Sequence, residues 1–402
     1  MTPAEKKRII HNLLNKGVSQ VIDKEHLEKR LLSGEKLRIK LGIDPTGTQV
    51  HIGHAVSILK LREFQKLGHQ IVIIIGDATG QVDTSDKTAE RPMLTREETL
   101  ANAKGYLSQF GKILDIDQVE VRFNSEWMDK TTFNGVGELA KNFSVAEMLD
   151  RENFSQRFES GVRISLQEFL YPIMQGYDSV MMHADVELGG NDQYFNLLAG
   201  RRLQEAFGQG KQDIMTFSLI ETDGRKMSKT YGNFVGLDFS AIEMFVKLME
   251  ISDDLIIKYF ESCTDLYFDE IEPYAERLKS GENPRNIKIE LAKTVVSLYH
   301  EKGALEAEEY FQKVIREAIP DAKDIPKKEI ECEGNSLPLV TLIVSAGMVK
   351  NSSEARNALA GNSVKVDNEV QTNPKYMVEL SKEKYTLLQV GKKKFLHVRK
   401  ES

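Results

Sequence analysis

Between Leu37 and Ile75 the chain spells out one complete βαβ unit, and that unit limits the fold more than any other stretch. Leu37, Ile39 and Leu41 alternate with Arg38 and Lys40, the period of a half-buried strand. Ile52, Ala55, Val56 and Leu59 follow at helical spacing, with Gly68 placed to stop the helix. Ile71-Val72-Ile73-Ile74-Ile75 is a continuous apolar run, which fits a strand covered on both faces. Strands joined through a crossover helix are parallel, so an α/β fold is expected. The connection from the first strand into the helix reads Asp44-Pro45-Thr46-Gly47-Thr48-Gln49-Val50-His51-Ile52-Gly53-His54. It lies where such sheets present their ligand crevice. His51 and His54, three apart, share one face of the helix's first turn. Free N–H groups and the helix dipole favour anions there, so two imidazoles with no cysteine nearby point to a phosphate-handling site. A metal pair and a plain polar helix surface remain open at this point. A zinc site would need further ligands, and the local sequence offers only Asp44.

A second segment narrows the choice. Residues 222–232 read Thr-Asp-Gly-Arg-Lys-Met-Ser-Lys-Thr-Tyr-Gly, a glycine-flanked loop whose phosphate-capable groups are Lys226, Lys229 and Thr230. Paired in this order, a domain's length apart, the two motifs resemble the double signature of class I aminoacyl-tRNA synthetases, which position and neutralise the triphosphate of ATP. The resemblance implies a Rossmann-like parallel-sheet catalytic domain. It gives Thr46, His51, Lys226, Lys229 and Thr230 the charge developing on the triphosphate, and places Gly42, Asp44, Gly53, His54 and Lys229 around ATP.

Three further segments resemble the tyrosyl-tRNA synthetases of bacteria. Gln167-Glu168-Phe169-Leu170-Tyr171-Pro172-Ile173-Met174-Gln175-Gly176-Tyr177-Asp178 is similar to their amino-acid pocket. There the residues matching Tyr171 and Gln175 hold the substrate's α-amino group, and the one matching Asp178 accepts from the phenol. On a helix, positions 171, 175 and 178 share one face; read without the family, the same pattern is an amphipathic helix with a polar stripe. Gly189-Gly190-Asn191-Asp192-Gln193 resembles the segment whose glycine backbone and aspartate (Gly190, Asp192) bind the ribose and whose glutamine (Gln193) approaches the reacting carboxylate. Asp83-Thr84-Ser85-Asp86-Lys87-Thr88-Ala89-Glu90-Arg91 resembles the loop that supplies an aspartate for the α-amino group, at Asp83, and mobile basic groups, at Lys87 and Arg91. Asn124-Ser125-Glu126-Trp127 and Ser144-Val145-Ala146-Glu147-Met148-Leu149 extend the similarity over nearly the whole chain. Two departures stand out. Most relatives have Gly-Asp-Pro-Ser-Gly where this chain has Val82-Asp83-Thr84-Ser85-Asp86. Many also have a tyrosine for the phenol where this chain has Lys40, which shifts phenol recognition onto Asp178.

The layout of 402 residues allows two or three domains. A catalytic domain is expected over 1–236, with an insertion at about 121–190. Apolar spacing at Ile242, Phe245, Leu248 and again at Ile289, Leu291, Val295, Leu298 predicts a helical domain over 237–319. The Pro-, Lys- and Glu-rich segment 320–336 reads as a linker. The chain carries a net charge of −7, yet Leu337–Ser402 holds 11 Lys plus Arg against 6 Asp plus Glu, leaving −12 on what precedes it. Such asymmetry is how nucleic-acid partners are located. With Ser353-Glu354-Ala355-Arg356, Gly361 and Val364-Lys365-Val366-Asp367-Asn368 ahead of Lys392-Lys393-Lys394, the tail resembles a small α+β S4 RNA-binding module. Arg356, Lys365, Lys392, Lys393 and Lys394 are its candidate RNA contacts. No apolar run reaches membrane-spanning length, the charged N-terminus lacks a signal-peptide core, and two cysteines indicate no disulfide framework. A cytoplasmic protein is expected.

The resemblance implies a tyrosine–tRNA ligase reaction: L-tyrosine and ATP give tyrosyl-adenylate, and the 3′-terminal ribose of tRNA(Tyr) then takes the amino acid. Mg2+ would arrive on the phosphates of ATP rather than in a protein cage, with no metal site of the protein's own and no membrane partner. A homodimer with the 121–190 insertion at its interface is implied by the family alone. Tryptophanyl enzymes, nucleotidyltransferases that activate another acid, and a non-enzymatic RNA-binding relative are the competing readings.

Overall fold

The computed structural model describes residues 2–45, 47–82, 95–222, 227, 233–316, 325–332, 334–367, 369–391 and 394–401. The chain divides into two compact units, 1–308 and 309–402.

The first unit is built on a six-stranded sheet: β1 (Gln20–Ile22), β2 (Arg38–Ile43), β3 (Gln70–Ile75), β4 (Glu120–Phe123), β5 (Val186–Gly190) and β6 (Asp213–Phe217). Its order is β1-β6-β5-β2-β3-β4. β2 to β6 run parallel and β1 joins β6 antiparallel. The order reverses between β2 and β5. A crevice therefore opens above their carboxyl ends, the place where open α/β sheets take ligands. The βαβ unit forms as the sequence predicts. Ile71 to Ile75 are buried, and the Ile52–Lys66 helix buries Ile52, Ala55, Val56 and Leu59. The chain then turns at Gly68, whose φ of 89° favours glycine.

β2 departs from its expected half-exposure. Lys40 is fully buried, because β2 is a central strand covered on both faces and its neighbour β5 supplies Glu187 directly opposite. β4, at the edge of the sheet, and β5 both belong to that sheet, so the connection between them spans 124–185, against the expected insertion at about 121–190. It ends in the Leu166–Met182 helix. That helix starts at a Ser165/Glu168 capping box, the Ser-x-x-Glu start signal written in the sequence. At Gly176 it touches the Tyr194–Ala206 helix so closely that a Cβ would lie 2.9 Å from the Ala199 carbonyl.

Helices Ala241–Met249, Ile256–Cys263, Phe268–Lys279, Pro284–Tyr299 and Gly303–Tyr310 bear out the helical reading of this region. They belong to the same compact unit as the sheet rather than to a domain of their own. Buried polar ties explain the union. Lys16 Nζ donates to the Thr264 carbonyl at 2.7 Å, and the Tyr259 hydroxyl donates to the Glu221 carbonyl at 2.7 Å.

The second unit holds β7 (Lys327–Ile330), β8 (Ser336–Pro338), β9 (Val364–Val366), β10 (Glu369–Val370), β11 (Met377–Glu379), β12 (Thr386–Val390) and β13 (Lys394–Lys400). A five-stranded mixed sheet has the order β10-β9-β12-β13-β7, and β8 pairs with β11. With helices Leu339–Ser345 and Ser352–Ala360 these strands enclose a core of Leu339, Leu342, Ile343, Leu359, Val364, Leu388 and Val398. Part of the expected linker is therefore folded, since β7 runs parallel to β13 within this sheet. Among the described residues, no helix is long and apolar enough to cross a membrane.

Candidate active site

The carboxyl ends of β2 and β5, with the Leu166–Met182 helix, gather most of the described candidate residues of the first unit. Asp44 follows β2, and its carboxylate is held from two sides. The Tyr171 hydroxyl donates to Oδ2 at 2.7 Å and the Thr79 hydroxyl to Oδ1 at 2.8 Å. Burial pushes the Asp44 carboxyl up, opposed by these two bonds. The Tyr171 phenol is driven well above its ordinary value by burial and by the charge of Asp44, so it stays a donor. Gly76 makes this geometry possible. A Cβ there would sit 1.8 Å from Asp44 Oδ1 and 2.2 Å from Thr79 Oγ1.

From Thr79 the hydrogen bonds continue to Asn124, whose Nδ2 donates to Thr79 Oγ1 at 3.1 Å and reaches Asp178 Oδ2 at 3.4 Å. Trp127 Nε1 donates to Asp178 Oδ1 at 2.8 Å. Asp178 is buried, and burial, partly offset by the Lys40 charge and these donors, pushes its carboxyl up to about 7. Gln175, one turn back, sends its Nε2 to Glu187 Oε1 at 3.1 Å. Helical spacing thus brings Tyr171, Gln175 and Asp178 to one side, as expected. Gly76, Thr79, Asn124, Trp127 and Glu187 join them through tertiary contact. Asn124 and Trp127 stand in the sequence only as a family-like stretch without a role. The Gly76-Asp77 step right after an apolar strand is the one local signal for the others.

His51 is the N-cap residue of the Ile52–Lys66 helix, one step earlier than the first turn, and its backbone N–H donates to His54 Nδ1 at 3.3 Å. The two rings stack with centroids 3.7 Å apart. Gly53 lies against this pair, since a Cβ on it would meet the His51 ring at 2.9 Å. The Asp44–His51 connection is pinned by Asn102, which donates to the Pro45 carbonyl at 3.0 Å, and by Gln109, which donates to the Thr48 carbonyl at 3.0 Å. Segment 235–237 pairs with 50–52: Ile52 N–H donates to the Val235 carbonyl and Leu237 N–H to the Val50 carbonyl, each at 2.9 Å. Both shoulders of the basic loop are fixed, by that pairing and by the Thr222 hydroxyl donating to the Asn233 carbonyl at 2.7 Å. The segment that follows the loop is thereby held beside the histidine motif.

Gly42 ends β2 with open space where a Cβ would be, and Gly190 ends β5, where a Cβ would press on Asp192 Oδ1 at 2.4 Å. Asp192 is exposed, and its charge is felt at Tyr171. Gln193 Oε1 accepts from Asn196 Nδ2 at 2.8 Å. Thr46, Asp83, Lys87, Arg91, Lys226, Lys229 and Thr230 lie outside the described residues, as do Lys392 and Lys393 in the second unit. There Arg356 is exposed, Lys365 is half-buried on β9, and Lys394 Nζ donates to the Met348 carbonyl at 2.8 Å.

One His/Asp cluster among the described residues has metal-like spacing: Asp23, His26 and Asp213. It lies by the amino end of β6, away from the crevice. His26 Nδ1 is 3.0 Å from Asp213, and the Arg30 guanidinium is 4.0 Å from the same carboxylate, so Asp213 already has partners within the protein. At the crevice each Asp44 oxygen accepts from one hydroxyl.

Comparisons with known proteins identify the family. The family model described as tRNA synthetases class I (W and Y) matches residues 32–316, and a tyrosine–tRNA ligase SYY-like C-terminal domain matches 317–398. The chain is 45% identical over 404 residues to a tyrosine–tRNA ligase of Thermotoga maritima, covering 99% of this chain and 98% of the relative. It is 43% identical over 399 residues to that of Carboxydothermus hydrogenoformans, covering 96% of each. A solved tyrosyl-tRNA synthetase of Archaeoglobus fulgidus, complexed with L-tyrosine, shares the fold with a TM-score of 0.60 at 21% identity, over 77% of this chain and all of that one. A truncated mitochondrial enzyme of Aspergillus nidulans does so with a TM-score of 0.65 at 23% identity, over 78% and 97%. The chain belongs to the class I tRNA synthetases and, within them, to the tyrosine–tRNA ligases.

Proposed function

We propose that this ligase activates L-tyrosine with Mg2+–ATP and delivers it to the 3′-terminal ribose of tRNA(Tyr), with the crevice residues in the following roles. A tyrosine carboxylate oxygen bonds to the α-phosphorus, the bond to the β-phosphate oxygen breaks, and pyrophosphate leaves. A ribose hydroxyl then attacks the activated carbonyl and AMP leaves. Neither step needs a protein nucleophile. Alignment and charge stabilisation carry the rate.

Tyr171 and Gln175, with Asp83, receive the α-amino group, and Gln193 the carboxylate. Gly42, Asp44, Gly53, His54, Gly190 and Asp192 surround the nucleotide. Thr46, His51, Lys87, Arg91, Lys226, Lys229 and Thr230 meet the triphosphate. Asp178 accepts from the substrate phenol, and it is the observation that carries the reading: a buried carboxylate on the same helix face as Tyr171 and Gln175. Phenylalanine would leave that carboxylate short of a partner. Tyrosyl enzymes are themselves the type example of such rejection.

Two partners complete the proposal. The second unit, basic over Leu337–Ser402 and read as an S4-like module, binds tRNA through Arg356, Lys365 and Lys392 to Lys394. A second copy of the chain covers the insertion, where Phe133 (92% exposed) and Leu166 (80%) stand out of the surface together with Val145 and Phe158. With both cysteines unpaired, the enzyme works in the reducing cytoplasm.

Tyrosine-dependent ATP–pyrophosphate exchange tests the function. Wild type exchanges with tyrosine and strongly prefers it to phenylalanine. Asp178→Asn loses roughly 10- to 150-fold of that preference, the equivalent of one charge-assisted hydrogen bond. Exchange driven by another amino acid, or an equal loss with both, refutes the assignment.

A further inference from the structure

Directly beneath the Gln175–Ser179 turn lies a buried ion pair that the reaction as described does not use. Lys40 on β2 and Glu187 on β5 face each other in register, and both side chains are wholly inaccessible. Lys40 Nζ donates to Glu187 Oε1 at 2.9 Å, to Ser179 Oγ at 2.8 Å and to the Gln175 carbonyl at 3.0 Å. All three ammonium protons are therefore placed. Glu187 is equally full. Its Oε1 also accepts from Gln175 Nε2 at 3.1 Å, while Oε2 accepts from the Ser179 hydroxyl at 2.9 Å and from Gln212 Nε2 at 2.5 Å.

Stability alone does not account for such a pair, because well-packed apolar residues in its place are often neutral or better. What it supplies is a fixed charge and a fixed hydrogen-bond anchor, aimed at one turn of the substrate helix. We propose that Lys40 and Glu187 are positioning residues of the tyrosine pocket: Lys40 is the counter-charge of Asp178, and Glu187 is the anchor that aims the Gln175 carboxamide. The proposal deepens the tyrosine reading of this site and rests on it.

Among the described residues, the charged and titratable groups around Asp178 are few. From β2 comes Lys40, which favours the carboxylate, and from β5 comes Glu187, which opposes it. On the side of the 124–127 segment the donors are Asn124 and Trp127, with the Arg122 guanidinium over the Trp127 ring and Asp77 engaged by Ser125. On its own helix Tyr171 is committed to Asp44. Lys40 and Glu187 therefore pull the Asp178 carboxyl in opposite directions from its position near 7. At an effective dielectric of about 20, a unit charge several ångströms away moves a pKa by about one to two units. Removing Lys40 raises it and removing Glu187 lowers it.

The chain's single tryptophan is Trp127, whose indole N–H is bonded to Asp178, so its fluorescence reports this titration without any substrate. In the full-length protein we expect a midpoint near 7 in wild type, displaced upward by about one unit or more in Lys40→Met and downward in Glu187→Gln. Lys40→Arg should stay near wild type. In pyrophosphate exchange the acid limb of kcat/KM for tyrosine should follow the same displacements. Glu187→Gln should raise the KM for tyrosine more than it changes kcat. Midpoints that stay fixed, or that move the same way in both variants, overturn the proposal and leave the pair a purely structural one. Should Lys40→Met not fold, Glu187→Gln decides alone: a downward midpoint supports the proposal, and an unmoved or raised one refutes it. A wild type that titrates as described but exchanges with an amino acid other than tyrosine refutes the substrate and spares the electrostatics.

Discussion

Gly76→Ala is the substitution whose consequence follows most directly from distances. Gly76 is buried just beyond β3, and its N–H is bonded to the Ile43 carbonyl at 2.9 Å, so the backbone there has little room to retreat. A methyl group would fall 1.8 Å from Asp44 Oδ1 and 2.2 Å from Thr79 Oγ1, and both atoms must move. The Thr79 bond to Asp44 is lost outright, and the Tyr171 bond is lost if the carboxylate swings as a whole. Each bond to a charged acceptor is worth roughly 1.5–3 kcal/mol. Water reaching a displaced Asp44 would return part of the sum, so a stability loss of about 2–4 kcal/mol is expected. If half of that loss is felt at the transition state, kcat/KM in tyrosine-dependent exchange should fall by about 5- to 30-fold. Urea unfolding and exchange kinetics on the same preparation provide the assay. Thr79→Val, which deletes one donor and adds no clash, should give roughly half the effect on each. A Gly76→Ala enzyme with wild-type kinetics and an unchanged unfolding midpoint would show that Asp44 needs no fixed position, and the reasoning would fail.

Two other outcomes follow from the architecture. A chain ending at Glu308 keeps every motif of the crevice, so it should retain pyrophosphate exchange and lose tRNA charging. The lost tRNA affinity should be salt-dependent, with a slope near one unit per neutralised phosphate, and full charging by the truncated enzyme would remove the RNA role of the second unit. If a second copy covers the insertion as proposed, Phe133→Asp, at the most exposed large apolar side chain of the insertion, should shift sedimentation from dimer to monomer; an unchanged sedimentation coefficient would refute that interface.

How much of this protein its sequence determined depends on the range of the forces involved. The βαβ unit was legible because a strand covered on both faces must be apolar throughout, as at Ile71–Ile75, and a packed helix must repeat its apolar residues every three or four positions. Tyr171, Gln175 and Asp178 were legible as a group because helix geometry alone puts them on one face. β7 was not. Lys327–Ile330 is an edge strand with only Ile330 buried, so it carries no apolar pattern, and its pairing with β13 depends on residues some seventy positions away. Lys40 likewise read as an outward-facing residue by its alternation. Its burial was decided by the strand order, which set β5 and Glu187 beside it. The same order brought Thr79 to Asp44, Trp127 to Asp178 and Gln212 to Glu187, contacts between residues 35, 51 and 25 positions apart. Local chemistry named the groups proposed to face the ligand. Only the tertiary packing decided which groups stand behind them, because a buried polar side chain takes whichever partner the fold delivers.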